Sequence, residues 1–242
     1  MFDDYNELVM HSGNMLDIDE LKQKTGVKSS DELLDVMKIV LERGKTIPGE
    51  KTLEVYNITG GNELVDAQLL YTNVKLFLKT PTKEAVISAI ETLKTVLYNI
   101  SLDSVIIWYP NEMKGEPTEE LLKLWSVLGE YVLKKKVVRL GIADVDTDVF
   151  ISLYDKVEVK PEIFHLNVQN CCLVPPELQK FAEEKEIQLL THYDPPDIMP
   201  EGNMIAELKN FKPYWIARYQ SHIKCRGVLA KKGYLLSLRQ II

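Results

Sequence analysis

Leu102-Asp103-Ser104-Val105-Ile106-Ile107-Trp108-Tyr109-Pro110 is the stretch on which the fold turns. From Ser104 to Tyr109 it is nearly continuously apolar, and proline closes it. A strand with one wet face alternates, whereas an unbroken apolar run is what helices leave when they cover both faces. The flanks supply those helices. Thr82 to Leu97 predicts one, with Ala85, Val86, Ala89, Ile90, Leu93 and Val96-Leu97 on its inner face. Pro110 to Pro117 reads as a loop and Thr118 to Leu133 as the second helix. A buried strand between two amphipathic helices is a βα unit, and βα units build parallel sheets.

Working outward, the same grammar repeats. Val74 to Lys79, Val137 to Ile142, Ile163 to Val168 and Ile187 to Thr191 predict strands, with a short helix at Asp148 to Tyr154 and a proline-started helix at Pro176 to Lys185. Five strands in about 120 residues, with weaker candidates on either side, favour a closed (β/α) barrel of TIM type over an open sheet. The expectation is one α/β barrel domain over residues 1–242, irregular or incomplete where its first two strands are weakly written. Residues 1–48 form an N-terminal helical segment and 195–242 a less regular C-terminal segment. Helices are predicted at Asp17 to Lys24 and Ser30 to Arg43, the latter with an N-cap in Ser29-Ser30-Asp31-Glu32 and Gly44 at its end. Gly44 to Glu50 reads as loop, and Thr52 to Ile58 as a weak strand broken by Gly60-Gly61. In the tail, Pro195-Pro196 starts a loop, Met204 to Leu208 is a helical turn, Tyr214 to Tyr219 is expected to be helical, and Val228 to Leu238 holds the final strand.

The bulk numbers exclude several classes. A hydrophobic fraction of 45% in 242 residues supports one sizeable core. A net charge of -7 argues against a general nucleic-acid binder and gives no attraction to anionic membranes. No apolar run approaches the roughly 20 residues that span a bilayer. Met1 to Met10 is acidic and has neither the basic nor the apolar region of a signal peptide. Three cysteines, two of them adjacent, suit a reducing compartment, and the expected location is cytoplasmic.

The βα run resembles the aldo-keto reductases. Leu102 to Pro110 is similar to that family's fourth strand, roughly Leu-Asp-x-x-x-Ile-His-Trp-Pro. Arg139-Leu140-Gly141-Ile142-Ala143-Asp144 is similar to its Ile-Gly-Val-Ser-Asn strand, and Val159-Lys160-Pro161 introduces the next strand as the family's Lys-Pro does. A second resemblance runs in order through nearly the whole chain. Ser12-Gly13-Asn14-Met15-Leu16, Leu102 to Ile107, Asn170-Cys171-Cys172-x-x-Pro175-Pro176-x-Leu178 and Ile187-Gln188-Leu189-Leu190-Thr191-His192-x-Asp194-Pro195 are similar to the regulatory-subunit family of glutamate–cysteine ligase. So are Trp215-x-x-Arg218-Tyr219, Lys224-x-Arg226-Gly227 and Lys232-Gly233-Tyr234. That resemblance implies a non-catalytic chain that binds a catalytic subunit as a heterodimer. The partner joins glutamate to cysteine with ATP and Mg²⁺, the first step of glutathione synthesis. The regulatory chain improves its substrate use and eases inhibition by glutathione. Cysteines in that family can link the two subunits.

A working reductase needs a tyrosine acid, a lysine, a histidine and an aspartate around the carbonyl, with hydride from NADPH. Lys79 stands where the lysine belongs. Trp108 takes the histidine's position, cannot exchange a proton, and fills the carbonyl's space. At the second strand only Tyr56-Asn57 appears, with no acid in register. An NADPH-dependent reductase is therefore the alternative reading, and an inert NADPH-sensing scaffold of the same fold the third. Lys224, Arg226, Lys231 and Lys232 would be the grip on the cofactor's 2′-phosphate. They read better as a solvated edge or a contact for an acidic partner. No glycine-rich nucleotide loop exists, and the expectation is no cofactor.

The remaining chemistry-bearing residues keep plain readings. Asp144-Val145-Asp146-Thr147-Asp148 mimics a calcium loop, but Val149 and Asp155 stand where glycine and a bidentate glutamate belong. It reads as a βα loop whose aspartates cap the next helix, and no metal site is expected. His165 reads as core and His192-Tyr193-Asp194 as loop structure; His11 and His222 carry no context. Cys171-Cys172 keeps three readings, a vicinal disulfide, which would be strained, a nucleophile with His192 one strand further on as its base, or the partner link that the resemblance implies, beside the plain reading of small buried hydrophobes. Cys225, between Lys224 and Arg226, has cationic neighbours that favour thiolate and is a second candidate for that link. No catalytic residue is expected.

Overall fold

The apolar run at Ser104 to Tyr109 does lie in a strand, Leu102–Trp108, whose Val105, Ile106 and Ile107 are all buried. The computed structural model describes residues 2–22, 26–57, 67–98, 101–110, 113–168, 174–200, 202 and 204–241. They fall into two units, Asn73–Tyr193, and Met1–Thr72 with Asp194–Ile242. Their strands, in chain order, are β1 Glu7–His11, β2 Lys45–Pro48, β3 Thr52–Tyr56, β4 Leu70–Leu78, β5 Leu102–Trp108, β6 Val137–Ala143, β7 Ile163–Asn167, β8 Gln188–His192, β9 Phe211–Ile223 and β10 Leu229–Gln240. The helices are α1 Asp19–Lys22, α2 Ser29–Arg43, α3 Lys83–Leu97, α4 Glu119–Leu133, α5 Thr147–Lys156 and α6 Pro176–Lys185.

The unit Asn73–Tyr193 is the α/β part. β4, β5, β6, β7 and β8 pair in that order, all parallel, and α3 to α6 form the successive crossovers. The register runs Phe77↔Trp108, Trp108↔Ala143, Ala143↔His165 and His165↔Leu190. These residues share one face of the sheet, and Ile106, Ala143 and Ile163 form a buried cluster there with Trp108 and Leu190 against it. α3 and α4 start where threonine can cap them: Thr82 accepts from the Ala85 amide and Thr118 from the Leu121 amide. α4 buries Leu121, Leu124, Trp125 and Leu128. Each such side chain stabilises the fold by about 1.5–3 kcal/mol before ordering costs.

The other unit is mostly antiparallel and differs more from expectation. Its strand order is β2-β3-β1-β10-β9, with only β1 and β3 parallel. Tyr214 to Tyr219 is not helical. It lies within the 13-residue strand β9, paired with β10 from Phe211↔Gln240 to His222↔Leu229. Tyr214, Trp215, Ile216 and Ala217 are all buried, so this stretch of the strand shows no two-residue alternation. The aromatic and β-branched composition was the usable signal. β1 was not foreseen, and the loop expected at Gly44 to Glu50 contains the edge strand β2, exposed along its length. Lys45 and Pro48 mark it as an edge that resists further pairing. Gly44 does end α2, but with φ -67, so left-handed freedom is not its reason. A side chain there would run into the Val40 carbonyl. The expected cap in Ser29-Ser30 is also corrected. Lys28 is the N-cap residue of α2, and Ser29 spends its hydroxyl on Asp194 instead. Lys24, Ile58, Gly60-Gly61 and the cysteine pair Cys171-Cys172 lie outside the described residues.

Candidate functional site

Two polar clusters stand out, one in each unit. In Asn73–Tyr193, strand alternation puts Lys75 and Phe77 of β4 on one face of the sheet. Successive strands add Trp108, His165 and His192 to it. Lys75 is buried, its Nζ 3.2 Å from His192 Nε2, and that nitrogen is 2.8 Å from Asp144 Oδ1. His165 packs edge-on against His192, ring centroids 4.3 Å apart, and its Nε2 is 3.3 Å from the Thr191 carbonyl oxygen. Lys75 Nζ also stands 5.2 Å from the centre of the Phe77 ring. Asp144 follows β6 with φ 61, a left-handed backbone that aspartate tolerates, and its amide donates to the His165 carbonyl.

One imidazole nitrogen carries a hydrogen or a lone pair, so Nε2 can donate to Asp144 or accept from Lys75, not both. With the hydrogen on Nε2 the shorter contact is satisfied. The row links β4 and β8 to the residue that follows β6. The sequence reading misplaced all three. Lys79 at the strand end was singled out, whereas the deeply buried lysine is Lys75. Asp144 does not cap α5; Asp146 holds the N-cap position and makes no side-chain cap bond. His192 is not loop structure but a buried strand residue. Alternation from Phe77 back to Lys75, and from Leu190 on to His192, was the available signal. Among the described residues, no group of three or more His, Cys, Asp or Glu could hold a metal ion.

The second cluster gathers the sequence motifs of the terminal segments. Asp194 is buried and accepts from Arg218 Nη1 at 2.5 Å and Nη2 at 2.8 Å, a two-armed pair, while Ser29 Oγ donates to its Oδ1 at 2.8 Å. Tyr234 donates to Glu32 Oε1 at 3.0 Å, and Lys232 Nζ sits 2.5 Å from Glu32 Oε2. Tyr219 donates to the Gly13 carbonyl at 2.8 Å. Ser12 Oγ accepts from the Tyr234 amide at 2.9 Å, and Asn14 Oδ1 from the Lys232 amide at 3.1 Å. Burial pushes the Tyr219 and Tyr234 phenols well above their usual range, so both remain neutral donors. Burial works against the charged guanidinium of Arg218, but the Tyr234 oxygen and the Asp194 carboxylate outweigh it and hold it above its usual range. Gly233 sits inside this cluster. A Cβ there would meet the Tyr219 hydroxyl, and would lie 2.5 Å from Gly13 O and from Ser12 Oγ.

Two of the four basic residues considered as a phosphate grip have partners within the fold. Lys232 goes to Glu32, and Lys224 Nζ to the Gln68 carbonyl at 3.0 Å. Cys225 is exposed in the turn between β9 and β10. No helix of the described residues is long and apolar enough to cross a membrane.

Comparison with known proteins is consistent with the convergence of these motifs. No protein-family model matches the chain. It is 30% identical over 254 residues to the glutamate–cysteine ligase regulatory subunit of Homo sapiens, covering 96% of this chain and 93% of that one. The same figures hold for the Mus musculus protein of that name. A putative glutamate–cysteine ligase regulatory subunit of Schizosaccharomyces pombe is 22% identical over 198 residues, covering 67% of this chain and 69% of that one. Among solved structures, a Bombyx mori aldo-keto reductase in complex with NADP covers 54% of this chain and 43% of its own, at TM-score 0.43 and 15% identity. On the near full-length match to the human and mouse proteins, the chain belongs to the family of glutamate–cysteine ligase regulatory subunits.

Proposed function

We propose that this chain is the non-catalytic subunit of a glutamate–cysteine ligase, which binds and activates the catalytic subunit in the first step of glutathione synthesis in the cytoplasm. The observation that carries the reading is the 30% identity extending over 96% of the chain. The Arg218 cluster supports it, because Ser12-Gly13-Asn14, Asp194, Arg218-Tyr219 and Lys232-Gly233-Tyr234 meet there, the same segments that resemble the family.

Activation by a partner is a difference in binding. The subunit must hold the catalytic chain's active conformation more tightly than its inactive one, and a tenfold shift needs about 1.4 kcal/mol of preference. Cys225, exposed, and Cys171 and Cys172 are proposed contacts with the partner. The test mixes this chain with purified catalytic subunit and follows co-elution, glutamate dependence and inhibition by glutathione. A stable complex with a lowered glutamate KM and weaker inhibition is expected. No complex together with unchanged kinetics refutes the reading.

A further inference from the structure

Charge is distributed unevenly along this chain. The protein carries a net -7, yet from Leu208 to Ile242 there are eight Lys and Arg and no Asp or Glu. The fold uses some of these cations internally. Arg218 pairs with Asp194, Lys232 with Glu32, and Arg239 lies 3.4 Å from the centre of the Tyr214 ring. The β9–β10 hairpin tip is different. Lys224 donates to a neutral carbonyl, which leaves its charge uncompensated, and Arg226 and Lys231 make no ion pair among the described residues.

The tip is also held in shape. The Gly227 amide donates to Ile223 O at 2.8 Å, the Ile223 amide to Val228 O at 2.8 Å, and Gly227 takes the left-handed φ of 62 that the reversal needs. The Lys224 amide donates to Leu69 O at 2.9 Å, which fixes the short 3-10 turn Ala67–Leu69 beside it. Two large apolar side chains come with that arrangement: Val228 is 54% exposed and Leu69 57%. The tip is a fixed surface with uncompensated cations around exposed aliphatic side chains. It suits a partner that brings carboxylates and an apolar side chain, and rigidity lowers the ordering cost of meeting it.

We propose that the β9–β10 hairpin tip, Lys224, Arg226, Val228 and Lys231 with Leu69, is the docking surface for an acidic segment of the ligase catalytic subunit. This rests on the reading of the chain as that enzyme's regulatory subunit. A protein occupant is favoured over a polyphosphate because the rest of the chain is strongly acidic. An extended polyanion would meet that field, whereas a local acidic segment meets only the tip.

The test measures association and dissociation of the whole chain with purified catalytic subunit at low and high salt. Arg226→Glu/Lys231→Glu is expected to slow association about tenfold or more and to remove most of its salt dependence, with Arg226→Lys/Lys231→Arg close to wild type. Val228→Asp is expected to speed dissociation. If wild type forms no complex, both this surface and the regulatory reading fall. If wild type binds and the charge-reversed variant binds alike, only the surface falls. A thermal melt guards against misfolding. Unchanged binding with a lowered melting temperature would show that the cations serve the fold, overturning the proposal. A fluorescent oligonucleotide and phosphatidylserine vesicles serve as controls. Tip-dependent binding of either would overturn the assignment to a protein.

Discussion

Replacing Asp194 by alanine removes the two carboxylate acceptors of the Arg218 guanidinium and the acceptor of Ser29 in one step, leaving Arg218 the Tyr234 oxygen. Asp194 is 3% exposed, so little water reaches the vacated space. Breaking a buried ion pair from one side costs about 3–5 kcal/mol, most of it the penalty of an uncompensated charge. In a protein of this size each kcal/mol moves the melting temperature by about 2–4 °C, so a fall of about 6–20 °C is expected. Trp215, fully buried on β9 beside this cluster, makes intrinsic fluorescence in urea a direct reporter. Asp194→Asn keeps an acceptor and should cost less. The informative variant is Asp194→Leu/Arg218→Met, which removes both charges and replaces them with apolar volume. It should recover most of the loss, giving a coupling of at least about 2 kcal/mol in a double-mutant cycle. An Asp194→Ala variant within about 1 kcal/mol of wild type, or a double variant no better than the sum of the singles, refutes the reasoning.

Gly233→Ala should destabilise by about 2–3 kcal/mol by overpacking, since its methyl group would lie 2.5 Å from Gly13 O and Ser12 Oγ. Wild-type denaturation midpoints in that variant would contradict the cluster's geometry. Burial lowers the His11 imidazole to about 4, so the fold prefers it neutral. Its contribution is complete above the unfolded value of about 6.5 and is lost as pH falls towards 4, amounting to about 3 kcal/mol. His11→Phe keeps the stacking on Tyr56 at 5.4 Å and should flatten the stability profile over that window. An unchanged slope would count against it.

The parallel part of the fold was legible because its strands are either unbroken apolar runs or bounded by helical repeats of another period. β5 and α4 needed no tertiary information. β9 was misread because burial of Tyr214 to Ala217 on both faces erases the alternation that distinguishes strand from helix. The Lys75–His192–Asp144 row was hidden for a different reason. Its members are 117 and 48 residues apart, and strand alternation gives the face of Lys75 and His192 but not their meeting, which needs the parallel strands aligned. The same holds for Ser29, whose local signal as a helix cap lost to an acceptor 165 residues away. The terminal motifs could be recognised from sequence, but their convergence around Arg218 and Gly233 could not, since it depends on the register of β1, β9 and β10.

The pairing of β1 with β10 sets an order of events during synthesis. Glu7 lies opposite Arg239 and His11 opposite Leu235, so β1 must wait for a strand made more than 200 residues after it. Asn73–Tyr193, by contrast, has emerged in full while β9 and β10 are still unmade, and its contacts join neighbouring βα units. Domains tend to form as they emerge, and long-range closure comes late and slowly. A chain stopped short of β10 would therefore strand β1 with one open edge and leave Ser12, Asn14 and Glu32 without the partners they meet on Lys232 and Tyr234. Synthesis of β10 thus acts as a checkpoint, and a nascent chain cannot display the assembled Arg218 cluster before that strand has emerged.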